Sequence, residues 1–416
     1  MLIEFSVGNY LSFREKQTFS MVAAPRLQKK GNTFKPVVTG EKLPELLKVA
    51  AIYGPNASGK SNLLRAMNVV SVLLRINPSA NLGPLPIKPF RFDKALISKP
   101  STFEVNFVHK SLRYQFEFAA TRERIIEERL TSFPKGKETL LYERTHSQNG
   151  ESYVFGETLE GGENLHQAWR QLTGPKTLFL AQAVANSSED LKQLKIPHEW
   201  LLDGLSVVTE GMAGLATVSQ NLMQRSPDPF VKMISEFLRG LDVPVTTMRF
   251  ETPKNALSEI SNDAQLVKTF SDQIKTTLTH QTALGEADFD FEEESEGTKG
   301  LIGFWLPWGL MTADESQFCA LVVDELDSSL HPEIVTNLIK RHLQSMVPAQ
   351  LIFSTHDTHL MDAKLLRRDQ FWITERDING ATQLRSIHEF EGRESEDLEK
   401  RYFEGRYRGL PILRKA

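Results

Sequence analysis

Polar and apolar residues alternate from the start of the chain. In Met1–Phe13, Leu2, Glu4 and Ser6 fall on one face of an extended strand, and Ile3, Phe5 and Val7 on the other. Val49–Tyr53 is a short apolar run that predicts a buried strand, and a glycine-containing turn follows it. Past the turn, Leu63, Leu64, Met67, Val70 and Leu74 recur at helical spacing. Residues 78–98 are rich in proline and predict a loop. Alternation returns with Phe103, Val105 and Phe107, then Tyr114, Phe116 and Phe118, the pattern of antiparallel hairpins. The runs 139–144 and 151–156 extend that sheet.

From about Asn164 to Gln281 the pattern is helical and mixed, as in Asp228–Leu241 and Asp263–Leu278. From Phe289 it changes back. "ALVVDEL" and "AQLIFSTH" are short buried strands on either side of a helical "EIVTNLIKRHL". Strand, helix, strand in that order implies a parallel sheet. The chain therefore predicts an α/β domain in two parts, residues 1–160 and 286–416, interrupted by a mainly helical insertion over 161–285.

Composition narrows this only a little. The 416 residues suffice for two domains, or for one with a large insertion. Hydrophobic residues at 40% and charged residues at 25% are ordinary for a globular protein. The net charge of −4 gives no global bias toward nucleic acid and leaves a local basic patch open. The single Cys319 cannot close an internal disulfide, which suits a cytoplasmic protein. No run approaches the ~18 apolar residues of a membrane helix. The richest stretch, Leu301–Met311, is short and contains Pro307; its Trp305 and Trp308 read as packing a helix on the core. The N-terminus lacks the basic and apolar regions of a signal peptide.

The turn after Val49–Tyr53 reads Gly54, Pro55, Asn56, Ala57, Ser58, Gly59, Lys60, Ser61, Asn62. It fits G-x-x-x-x-G-K-S in full, between a predicted strand and a predicted helix, which is the setting the motif needs. Glycines let backbone amides curl round phosphates, and the helix start adds its positive end. Lys60 would reach the β and γ phosphates of ATP, and the Ser61 hydroxyl would ligate Mg²⁺. Phosphoryl transfer also needs an acid for the metal and a group to orient water. Asp324 and Glu325, directly after an apolar strand, supply the two. One strand later come Ser354, Thr355 and His356, and the histidine is placed to contact the γ phosphate. His331 and His359 have no comparable setting.

Taken in order, these segments resemble the ABC-type ATPase heads: phosphate loop, helical insertion, signature, acidic strand, histidine strand. The late acidic pair followed by "STHD" does not resemble small GTPases, and the long gap from Ser61 to Asp324 does not resemble hexameric AAA+ rings. The signature "ESEGTKGL", with Ser295 and Gly297, departs from the L-S-G-G-Q of transporter heads. It resembles the S-x-G-T form of RecF-like, SMC-like and OLD-like ATPases. The resemblance implies a P-loop head with a mixed sheet flanked by helices. It also implies that Ser295 and Gly297 cap the γ phosphate held by a second copy, and that Asp327 lies in the loop coupling the two sites.

The segments "IEFSVGNYLSFRE", "GPNASGKSNLL", "VVDELDSSLHP", "LIFSTHDTHLMD" and "RYFEGRYRGLP" together resemble the bacterial RloA/AbiL group, related to the ATPase subunit of PARIS anti-phage systems. The likeness covers roughly residues 1–130 and 280–412. It implies an ATP-hydrolysing sensor or regulatory subunit in abortive infection, a homodimer or higher oligomer, and an effector encoded nearby, of the TOPRIM-like or RloB-like nuclease kind. A RecF-like DNA-repair ATPase is the alternative, and nucleic acid a candidate ligand. A transporter head, with its membrane partner, fits the signature poorly. Gln115 is the nearest candidate for the glutamine that reads Mg²⁺ in such heads, with a sheet-surface position as the equal alternative. Asn9 and Arg14 are candidates to lie near the nucleotide base or phosphate, with a solvated strand-end pair as the favoured reading.

Overall fold

The chain begins with β1 (Leu2–Gly8) and β2 (Gln17–Ser20), a two-residue pair β3 (Thr33–Phe34) and β4 (Leu46–Leu47), and β5 (Val49–Tyr53). Every residue of β5 is buried, as its unbroken apolar run requires. Helix α1 (Lys60–Leu74) follows and buries Leu63, Leu64, Met67, Val70 and Leu74, the positions of the helical repeat. The computed structural model describes residues 1–76, 83–209, 211–212, 215–216, 219–220, 227–251, 275–312, 319–394 and 396–411. Part of the loop expected at 78–98 lies outside them.

The alternating segment forms a meander of β6 (Ser101–His109), β7 (Leu112–Ala120), β8 (Ile125–Ser132), β9 (Thr139–Ser147) and β10 (Gly150–Phe155). With the first two strands it makes one antiparallel sheet of order β10-β9-β8-β7-β6-β1-β2. The faces of β1 differ from the simple alternation. The register with β6 shifts between Leu2 and Glu4, so Ile3 is an extra residue. The bulge turns Leu2 to the buried side with Phe5 and Val7, and leaves Ile3 half-buried.

Helices α2 (Gly162–Leu172), α3 (Phe179–Ala185) and α4 (Lys195–Glu199) come next, then β11 (Leu205–Val208). The sequence places them in the insertion. In the structure they pack on the antiparallel sheet, because they carry the large rings that cover it. Trp200 stacks on Phe107 with centroids 4.2 Å apart, and Phe179 lies 4.5 Å from Tyr142. The fully buried Glu128 of β8 fastens α3. Its carboxylate accepts from Phe179 N at 2.6 Å, Leu180 N at 2.9 Å and Tyr142 Oη at 2.7 Å. Burial pushes its carboxyl above the usual range, while Arg144 beside it pulls the other way.

Further along are α5 (Pro227–Arg239), β12 (Val245–Glu251), β13 (Lys275–Thr282), β14 (Gly285–Asp290), α6 (Glu296–Thr312), β15 (Ala320–Val323), α7 (Pro332–Gln344), β16 (Gln350–Ser354), β17 (Phe371–Arg376), β18 (Thr382–Ser386) and α8 (Leu398–Phe403). The second sheet has order β11-β15-β16-β5-β17-β18, parallel throughout except for the hairpin β17–β18. This is the P-loop head arrangement that the motif order predicts, with the phosphate-loop strand inside the sheet and the acidic strand two places away.

The chain divides into two compact units. One comprises Met1–Thr209, Asp314–Asp324 and Lys340–Ala416, and holds both large sheets. The other comprises Glu210–Ala313 and Glu325–Ile339. In it α5 packs on α6, with Phe230 against Trp305 and Phe237 against Trp308 at centroid separations of 6.1 and 5.8 Å. Both tryptophans thus have the packing role expected of them. This unit also carries the antiparallel sheet β12-β13-β14, which a helical reading of 161–285 misses. The helix expected over Asp263–Leu278 lies outside the described residues up to 274, and its last four residues belong to β13.

A buried side-chain amide joins the two large sheets, and a buried imidazole fastens α7 to the start of β5. Gln350 of β16 accepts from Leu2 N at 2.7 Å and donates to Leu2 O at 2.9 Å. His342 is 1% exposed and its Nε2 bonds Lys48 O at 3.1 Å, just before β5. Burial pushes the His342 imidazole down to about 4. The native ring stays neutral, whereas the unfolded chain takes up a proton below about 6.5. The stability tied to this site is full above that pH and falls as pH drops toward 4, by about 3 kcal/mol in all. In urea unfolding, the advantage of the wild type over His342→Gln should shrink by about 2 kcal/mol between pH 7 and pH 5. Equal pH slopes in the two proteins would show that the ring is not buried in its neutral form.

Candidate functional site

The phosphate loop leaves β5 at Gly54 with φ of 148° and enters α1 at Gly59 with φ of 110°. Both values favour glycine, and both positions are also sterically closed. A Cβ at Gly54 would collide with the side chain and carbonyl of Thr374, and one at Gly59 with the side chains of Thr382 and Ser12. The intervening Ala57 is left-handed as well, at φ of 61°. Hydroxyl groups hold this shape from outside the motif. Ser58 Oγ and Thr374 Oγ1 share a hydrogen bond of 2.5 Å, and Thr374 Oγ1 donates to Tyr53 O at 3.1 Å. Thr382 Oγ1 bonds Ser58 O at 2.8 Å and Ser12 Oγ at 2.7 Å, and Asn62 Nδ2 donates to Ser12 Oγ at 2.8 Å.

Lys60 is 6% exposed, and its ammonium donates to Gly54 O at 2.7 Å, across the mouth of the loop. Ser61 and Asn62 are half-buried on the first turn of α1, while Pro55 is half-buried and Asn56 exposed on the loop. Asp324 follows β15, 8% exposed, and accepts from Ser354 Oγ at 2.5 Å. The parallel register explains the meeting. Val323 pairs with Phe353 and Ser354 with Ile52, so the acid, the serine and the end of β5 come level. His356 is exposed, and the chain is tied to the phosphate-loop strand on both sides of it. Thr355 N donates to Ile52 O at 3.1 Å, and Tyr53 Oη donates to Asp357 O at 2.9 Å.

Residues of the other unit keep their own geometry. Ser295 caps α6, with its Oγ accepting from Thr298 N at 3.1 Å. A Cβ on Gly297 would come 2.6 Å from Ser329 O, so the signature backbone lies directly against the turn that begins at Asp327. Glu325 is exposed and left-handed, at φ of 51°, immediately after Asp324 in the chain.

Three residues weighed from the sequence make contacts within the fold. Gln115 sits inside β7 and donates to Glu104 Oε1 at 2.9 Å, a cross-strand contact on the sheet. Asn9 is 7% exposed rather than solvated, and its amide is spent on the carbonyls of Leu96, Lys99 and Pro100. Arg14 pairs with Asp93 at 3.0 Å. The tail motif has a packing function, since Tyr402 Oη donates to Gly409 O at 2.6 Å and its ring lies 6.3 Å from that of Tyr53. Sequence reasoning missed Ser12, Thr374 and Thr382. Ser12 at least lies in a segment that carries the family resemblance, whereas nothing local marks the two threonines.

The donor set suits a nucleoside triphosphate with a divalent cation. The glycine-lined cradle has no room for a Cβ, its lysine is aimed across the mouth, and a hydroxyl and a fixed carboxylate can supply hard oxygen ligands. Among the described residues no helix is long and apolar enough to cross a membrane.

Residues 49–362 match the model of the family described as "AAA domain, putative AbiEii toxin, Type IV TA system". No curated protein sequence matches the chain. Among solved structures it is similar to an SMC head bound to the C-terminal winged-helix domain of ScpA, with 13% identity, TM-score 0.45, and 92% of this chain and 97% of that one covered. It is also similar to the SMC head domain from Thermotoga maritima, with 16% identity, TM-score 0.41, and coverage of 92% and 98%.

Two substitutions separate the roles at this site. Lys60→Ala should weaken ATP binding about a hundredfold in calorimetry, because it removes the buried cation facing the phosphates. Ser354→Ala keeps the Asp324 carboxylate but frees it to turn. Its apparent Mg²⁺ affinity, titrated through nucleotide binding, should fall about 10-fold to 100-fold.

Proposed function

The chain belongs to this AbiEii-type family of AAA domains, and from that premise we propose that it is an ATP-hydrolysing regulatory subunit of an anti-phage, abortive-infection system. One observation carries the ATPase part. The Lys60 ammonium and the clamped His356 segment are tied to the end of the strand that opens into the phosphate loop, and the Asp324 carboxylate is tied to Ser354 of the neighbouring β16, which pairs with that strand. The family's description as a toxin supports a growth-arresting role.

In this reading the amides of Gly54–Ser61 cradle the phosphates of ATP, and Ser61 and Asp324 hold Mg²⁺. Glu325 polarises the attacking water and His356 contacts the γ phosphate. Two chains close head to head. Ser295 and Gly297 of each present the positive start of α6 to the other's γ phosphate, and Asp327, in the turn whose Ser329 carbonyl meets Gly297, couples the sites. Closure, or the hydrolysis that ends it, controls a toxic partner encoded nearby, of the TOPRIM-like or RloB-like nuclease kind.

The test is Glu325→Gln expressed with its neighbouring genes, its mass read by native mass spectrometry with and without ATP. Hydrolysis should fall about a hundredfold or more, with ATP retained. A multimer carrying a neighbouring gene product is the expected result. An ATP-bound monomer would sink the shared site, and a dimer without a partner would remove the effector from the scheme.

A further inference from the structure

The loop between α1 and β6 and the turn between β7 and β8 enclose a groove of about 630 Å³. Lys88, Arg91, Lys99 and Arg122 line it, all exposed, with Glu123 as the one carboxylate. Among the described residues these four cations make no ion pair, whereas nearby arginines do: Arg14 with Asp93, and Arg129 with Glu138. Unpaired positive charge is therefore concentrated here on a chain whose net charge is −4.

The groove is built rather than incidental. Its walls lack regular secondary structure, yet they are held in one shape. Asn9 Nδ2 donates to the carbonyls of Leu96 and Lys99 at 2.9 and 3.0 Å, and Asn9 Oδ1 accepts from Phe90 N at 3.1 Å. Leu11 N donates to Lys88 O at 2.7 Å, and Leu85 N to Arg122 O at 2.8 Å, across the two walls. An irregular segment held in one shape by its backbone, with four unpaired cations turned to solvent, has the physics of a binding loop. Leu85 and Ile87 fill the space beneath it.

We propose that this groove binds the phosphate backbone of a nucleic acid. Apart from Ser98, Thr121 and Glu123 its lining is cationic, aliphatic or proline, and it holds no aromatic ring to stack a base. Recognition is therefore of charge and spacing, independent of base sequence. The proposal stands apart from the ATP reading, since none of the four cations belongs to the phosphate loop. It also differs from a DNA-gripping insertion, because the groove lies on the unit that carries the two large sheets.

The experiment is fluorescence anisotropy of the full chain with labelled duplex DNA and with single-stranded RNA, over a salt series. Four phosphate contacts predict a slope of log K on log salt of about −3.6, an affinity loss of roughly a hundredfold between about 50 and 200 mM. Arg91→Gln with Arg122→Gln should lower the slope by about 2, with an unchanged melting curve. Lys60→Ala should bind as the wild type does, which separates this result from failure of the ATP reading. Three results would overturn the proposal: no binding, equal binding by the double variant, or equal competition by polyglutamate. The last would assign the groove to an acidic protein instead.

Discussion

Backbone at Gly54 and Gly59 lies so close to Thr374 and Thr382 that no side chain fits between. The site depends on this approach. A glycine-rich loop alone would be flexible and would have to be ordered at the moment of binding, at a cost of about 1–2 kcal/mol for each residue fixed. Here the order is installed beforehand. Thr374 and Thr382 belong to the β17–β18 hairpin, and their hydroxyls bond Ser58 and the strand leading into the loop. The loop therefore meets a ligand as a preformed concavity, with Lys60 already drawn across it.

The parallel sheet supplies the second half by the same logic of register. Two strand spacings, about 10 Å, separate β5 from β15, with β16 between them. Asp324 and Ser354 end their strands at one level and bond each other. Burying a carboxylate without a partner is costly, so the serine both lowers that cost and fixes the direction of the oxygens. His356 is held differently. Its neighbours are tied to Ile52 and Tyr53, while the residue itself is exposed.

The antiparallel sheet is bolted to these strands at Gln350, which satisfies both backbone groups of Leu2. His342 and Gln370 fasten the start of β5, bonding the carbonyls of Lys48 and Val49. Each of the three is buried, and each would leave an unsatisfied polar group if its bond broke. Asn9 extends the same framework to the cationic loop. Ser12, three residues later, bonds to Thr382 and Asn62 at the phosphate loop. One short segment thus supports both surfaces.

Residues that act through near neighbours were legible in the chain. The apolar run of β5, the spacing of Leu63 to Leu74 and the glycines, lysine and serine of the loop follow from local sequence, because strand, helix and cradle are set by contacts within a few positions. The places of Asp324 and His356 were legible for the same reason, since each falls within two residues of the end of a buried strand. Ser12, Thr374 and Thr382 were not, since an isolated hydroxyl has no periodicity and these gain meaning only where β17 and β18 bring them to the loop. Asn9 looked like a solvated strand end because nothing nearby reveals that a loop some ninety positions on needs its amide. The bulge that turns Leu2 inward likewise comes from pairing with β6. Local sequence determined the strand, turn and helix of the phosphate loop with its candidate chemistry, though not the β12-β13-β14 sheet. Tertiary structure alone decided which distant side chains hold that chemistry in shape, because register across a sheet is a property of pairs of strands.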